Sequence, residues 1–199
     1  MNLGTRLGRA LVAVGFFAAL FTAPAASAVD IAGYKIDESA KVAGQDLKLN
    51  GAGIRYKFVI KVYAAGLYLA DKKTTAADVL AEPGAKRVTL VMLRDVDSDT
   101  FGQAFMDGIK KNSDVAERSK IVNQMLTFGH LFGSIPELKK GDTLNTDWVP
   151  GSGTVVYLNG KKITEPIPDV LFYNALLKIW LGANPVDSKL KSAMLSDAS

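Results

Sequence analysis

Hydrophobic and polar positions along the chain fall into blocks of two different periods. The longest β-like block runs from Leu49 to Leu69 (LNGAGIRYKFVIKVYAAGLYL) and is rich in valine, isoleucine, tyrosine and phenylalanine. Gly51 and Gly53 predict a tight or bulged entry to it, because glycine takes positive φ without steric cost. Upstream, Ile31–Ile36 and Leu47–Leu49 read as short strands around the polar segment 37–46, and the main strand region covers 54–70. Thr75–Glu82 predicts a short helix, capped by Thr74 or Thr75 and stopped by Pro83-Gly84. Lys86–Asp95 (KRVTLVMLRD) alternates less cleanly and predicts a strand covered on both faces.

The period then changes. Asp97 or Ser98 caps a helix from about Asp99 to Lys111, with Phe101, Ala104, Phe105, Gly108 and Ile109 on one side. A second helix runs from about Val115 to Phe132, carrying Ile121, Val122, Met125, Leu126 and Phe128. Strand pattern returns at Thr143–Val149 and ends in Pro150-Gly151-Ser152-Gly153. Thr154–Leu158 and Lys161–Thr164 flank Asn159-Gly160, the dipeptide a type I′ hairpin prefers. Pro166 and Pro168 end the sheet. A helix follows from Asp169 to Leu181, closed by Gly182 as a C′ residue, and a last one spans Ser188 to Leu195. Strands, helices, hairpin strands and a final helix predict an α+β fold, with helices on one face of an antiparallel sheet.

The first 28 residues follow neither pattern. Arg6 and Arg9 precede an apolar run, Ala10 to Phe21, and Ala26-Ser27-Ala28 has the small-x-small form of a cleavage site. The run is shorter than the roughly 17–25 apolar residues of a membrane span. The expectation is a signal peptide at 1–28, a single domain at 29–199, and a periplasmic or secreted protein with no stable transmembrane anchor after cleavage. Without that segment, 22 basic residues face 20 acidic ones, a balance that argues against nucleic acid as a partner. There is no cysteine, which excludes a disulfide framework, a thiol nucleophile and a zinc–thiolate site. The single histidine, His130, argues against a Ser-His triad or a histidine-rich metal site.

No cofactor or metal is expected. The Gly-Ala-Gly at 51–53 does not open a helix carrying a P-loop lysine. Asp95, Asp97 and Asp99 lack the spacing of an EF-hand loop, and read as a strand end and a helix cap. The candidate polar anchor is Arg55 with Tyr63. Their even spacing puts both on one side of an unbroken strand. A guanidinium fork beside a phenol can hold a carboxylate or an enolate oxygen. The same two residue types also fit a surface arginine and an ordinary strand aromatic.

The segments GAGIR and KVYAAGLYL, Asn112 closing the first long helix, WVPGSGTVVYLNGK at 148–161 and ALLKIWLGANPV at 175–186 recur in this order in one family. In them the chain resembles the chalcone isomerase superfamily, specifically its bacterial chalcone isomerase-like proteins, from about Gly51 to Leu195. The resemblance implies an open-faced β-sandwich: a large antiparallel sheet, helices on one side, and a cleft between the layers. The plant isomerases of that superfamily use an arginine, a threonine, a tyrosine, an asparagine and a further hydroxyl. These positions fall on Arg55, on Tyr63, near Thr100, near Asp107 and on Ile179, so only the arginine is retained. A non-catalytic branch of the same superfamily binds fatty acids, and there an arginine and a tyrosine in a KVYAAG-like stretch hold the carboxylate. The resemblance therefore implies a small amphipathic ligand, a fatty acid or a flavonoid-like molecule, at Arg55 and Tyr63. Phe101, Phe105, Met125, Phe128, Phe172, Leu176 and Trp180 are the candidate walls, and each fits plain core equally well. The alternatives are a chalcone-type intramolecular lyase, with Arg55 as oxyanion donor and Tyr63 as acid, and a ligand-free envelope interaction module.

Overall fold

The structure is a computed structural model and describes residues 27–195. The predicted signal segment therefore lies outside the described residues, except for Ser27 and Ala28. Strands β1 (Ala28–Ile31) and β2 (Tyr34–Asp37) form a hairpin around Ala32 and Gly33, both at positive φ. The expected single strand at Ile31–Ile36 is thus a turn and its flanks. β3 (Ser39–Val42) lies within the polar segment 37–46, where no strand is expected, and pairs with β4 (Gln45–Lys57). The long block at 49–69 is not one strand either: it folds back at Phe58-Val59, and β5 (Ile60–Leu69) runs antiparallel to β4.

Helix α1 (Ala76–Ala81) is capped by the Thr75 hydroxyl, which accepts from the Asp78 N–H. β6 (Lys86–Met92) lies beside β5, and the short β7 (Val96–Asp97) leads into α2 (Ser98–Asn112). Asp97 caps α2, accepting from the Thr100 N–H at 2.8 Å, and Asp95 accepts from the Lys140 N–H, so the acidic triplet is a strand end and a cap. The predicted second long helix is two: α3 (Val115–Lys120) and α4 (Val122–Gly133), broken at the fully buried Ile121. β8 (Glu137–Leu138) pairs with β7. β9 (Thr143–Val149), β10 (Gly153–Leu158) and β11 (Lys161–Lys162) complete the sheet, and α5 (Val170–Leu181) and α6 (Ser188–Leu195) end the described chain.

Seven strands form one antiparallel sheet in the order β11-β10-β9-β6-β5-β4-β3, which is the predicted α+β, open-faced arrangement. Its inner face carries Tyr63, Leu67, Val88, Leu90, Leu144 and Val156 against α2, α4 and α5. On its outer face Val42 and Leu47 cluster with Ile36 of β2. Two glycines serve close approach rather than positive φ. A Cβ on Gly53 would meet Ala193 and Leu190 of α6. A Cβ on Gly182 would run into the Asn112 side-chain oxygen and the Lys178 carbonyl, and Gly182 has φ −69°, so it is not the left-handed C′ residue expected. Asn112 makes the clamp there: its amide donates to the Gly108 and Asn184 carbonyls and its oxygen accepts from the Asn184 N–H.

Two neighbours on β6 show opposite treatments of buried charge. Arg87 makes a two-point contact with Asp147, both bonds at 2.6 Å. Lys86 is fully buried, and among the described residues its amine has no hydrogen-bond partner; desolvation lowers its pKa, with Glu82 opposing. Arg87→Ala, which strands the Asp147 carboxylate, is expected to cost about 3 kcal/mol in urea unfolding. Lys86→Met removes a lone buried charge and keeps the stem, so stability should rise by on the order of 1 kcal/mol.

Candidate functional site

The β4–β5 hairpin builds the site. Residues 57 and 60 pair at its end, and the register runs back through a bulge to place Arg55 directly opposite Tyr63. Direct partners in an antiparallel pair point to the same face. The two side chains do share a face, but across two strands and not along one unbroken strand. The Arg55 guanidinium carbon lies 5.5 Å from the centre of the Tyr63 ring, a cation–π distance.

Tyr63 is buried, under Phe101 of α2 edge-on at 6.3 Å between ring centres. Its phenol oxygen accepts a 3.0 Å hydrogen bond from the Trp180 indole N–H on α5. Burial pushes the phenol up to about 12, against the Arg55 charge and the Trp180 bond, which both pull it down. At neutral pH Tyr63 is therefore a protonated donor, not a phenolate. Arg55 is half-buried, and its Nε is fully buried with no hydrogen-bond partner among the described residues. Buried donors in folded proteins are nearly always paired, so this nitrogen stands out as a candidate for an acceptor. The contrast with Arg87 is internal to the molecule: its Nε donates to Asp147, whereas the Arg55 Nε has no such partner among the described residues. Asp187, near enough to influence Tyr63, has its oxygens on the backbone N–H groups of Tyr56, Lys189 and Leu190.

The other expected site residues lie apart from this pair. Thr100 is exposed in the first turn of α2, and Asp107 is exposed further along the same helix, 4.0 Å from the Lys110 amine. Ile179 is buried, packed against Gly108. None of the three is hydrogen-bonded to Arg55 or Tyr63 among the described residues. The expected wall residues form a ring-to-ring cluster instead of lining an open cleft. Phe105 lies 4.9 Å from Phe101, 5.6 Å from Phe128 and 5.5 Å from Trp180, and Phe128 lies 5.6 Å from Phe172. Met125 is only partly buried. His130 is exposed on α4, beside an open groove of about 640 Å³ shared with Thr127, Ile163 and Pro166.

Trp180 was foreseeable as a wall, but not as the hydrogen-bond donor to Tyr63. The two are 117 residues apart, and only the packing of α5 onto β5 joins them. Asp187 gave no signal beyond its place before a helix.

A model of the family described as chalcone isomerase-like matches residues 28–196. Among solved structures, a fatty-acid binding protein of Arabidopsis thaliana has a similar fold, with a TM-score of 0.63. It is 16% identical, over 85% of this chain and 96% of that one. No curated protein matches.

The raised Tyr63 pKa sets a pH dependence. Below pH 10 folded and unfolded chains both hold the phenolic proton. Between 10 and about 12 the unfolded chain releases it first, so stability falls as pH rises through that window. Tyr63→Phe should flatten part of that fall in urea unfolding at stepped pH. Tyr68, also pushed up to about 12, accounts for a further part. At neutral pH the same variant should cost about 1–3 kcal/mol, because the Trp180 N–H loses its acceptor.

Proposed function

The chain belongs to the chalcone isomerase-like family, and on that premise we propose that it binds a small amphipathic carboxylate, such as a fatty acid, at Arg55 and Tyr63. The observation that carries this reading is the desolvated, unpartnered Arg55 Nε beside a phenol that stays protonated. A carboxylate would accept from the guanidinium and from the Tyr63 O–H, whose own oxygen is already engaged by Trp180. The likeness in fold to a fatty-acid binding protein supports a lipid of this kind.

The site favours binding over proton transfer. A general acid works best with a pKa near the operating pH, and Tyr63 at about 12 is far from it. The ligand's tail would part the ring cluster around Phe101 and Phe105, selecting a more open state of the helix layer. The signal-like segment at 1–28 supports action after export, in a periplasm or outside the cell. Among the described residues no helix is long and apolar enough to cross a membrane.

Native mass spectrometry of the purified protein with oleate tests the proposal. A one-to-one adduct is expected for the native chain, with at least a tenfold loss of affinity in Arg55→Ala, the scale of one charge-assisted contact of about 1.5–3 kcal/mol. An adduct retained unchanged by the variant would remove Arg55 as the anchor. Absence of any adduct with oleate or shorter acids would overturn the reading.

A further inference from the structure

The β4–β5 turn holds bulky apolar residues in solvent. Phe58 is 93% exposed, Val59 90% and Ile60 46%, with Tyr56 at 39% beside them. Neither core packing nor turn chemistry explains them. The loop has two residues, and Phe58 sits at φ 59°. Two-residue hairpin loops favour glycine, asparagine or aspartate where φ is positive. The same sheet has such a loop at Asn159-Gly160, with φ 51° and 78°. At Phe58 the chain keeps an aromatic ring in a backbone conformation that bulky residues avoid, and it gains no burial in return.

The surroundings of the tip are basic. Lys57 and Lys61 are exposed on the two strands just behind it. Lys189 lines a shallow surface with Ile54, Tyr56 and the acidic Asp30, whose carboxylate accepts from the Gly33 N–H. The acidic Asp187 in this neighbourhood is occupied by backbone N–H groups. An apolar wedge with a collar of cations complements one kind of surface, a bilayer with anionic headgroups. A second copy of the chain fits less well, because a stable interface buries at least about 1,200 Å² and a two-residue tip is far smaller.

We propose that the Phe58–Ile60 tip docks the protein on anionic lipid bilayers, the apolar side chains entering the headgroup boundary and Lys57 and Lys61 meeting the phosphates. The proposal stands on the tip alone. It also puts Arg55, three residues or about 10 Å down the strand, close to the membrane surface.

Sedimentation with vesicles tests it, using phosphatidylglycerol–phosphatidylethanolamine vesicles beside pure phosphatidylcholine. The native protein should pellet with the anionic vesicles, less so in high salt, and less with phosphatidylcholine. The double variant Phe58→Asn with Val59→Gly installs the preferred turn, so its thermal midpoint should match or exceed the native one. Its vesicle partition should fall by about tenfold or more, with oleate binding in solution unchanged. Lys57→Glu with Lys61→Glu should abolish the preference for anionic lipid. A native protein left in the supernatant, or a turn variant that pellets as the native chain does, would overturn the proposal. So would a concentration-dependent dimer that the turn variant abolishes, which would assign the tip to self-association. Vesicle binding that persists where oleate does not bind supports the tip and sinks only the carboxylate reading.

Discussion

The turn at Phe58-Val59 sets the register of the two longest strands, and the position of the polar anchor follows from that register. A one-residue slip in an antiparallel pair would move every side chain of a strand to the other face. Here the bulge between residues 55 and 56 absorbs the mismatch, so that Arg55 meets Tyr63 while Ala65, Leu67 and Leu69 still face the helices. Inner-face packing and site geometry are consequences of the same pairing. Trp180 then fixes the phenol from above, tying α5 to the hairpin.

That arrangement leaves one end of the helix–sheet seam polar and the rest filled with rings. Phe101, Phe105, Phe128, Phe132, Phe172 and Trp180 are all buried. Their tilted and edge-on contacts contribute beyond area burial alone. A molecule entering from the Arg55 end would exchange ring–ring contacts for ring–alkyl ones. Such an exchange is close to neutral in dispersion, whereas pairing the buried Arg55 Nε is a gain. The electrostatic term at the mouth is therefore what would drive occupancy, and the interior would set which shapes are tolerated.

Much of this was legible along the chain, for reasons that differ from element to element. The α+β order, the capped α1, the Asp97 cap and the long α5 were visible because period and caps coincide. The break at Ile121 was hidden, since an isoleucine on a helical stripe carries no stop signal. The turn at Phe58-Val59 was hidden for the opposite reason: its residues are good strand formers, so a hairpin read as one long strand. Arg55 and Tyr63 were paired by even spacing along a strand that does not exist; the pairing came instead from the turn and the bulge. The filled interior could not be seen, because a helical stripe of phenylalanines looks the same whether it lines a cleft or closes it.

The ends of the seven-stranded sheet carry a separate consequence. One edge, β3, is four residues long and includes an exposed lysine; the other, β11, is two residues, both lysines and both exposed. Open sheet edges are templates on which further chains can add, and short, charged edges blunt that tendency. The two end strands of the sheet are thus short and charged, which makes each a poor template for edge-to-edge stacking, in contrast to the longer, apolar strands between them.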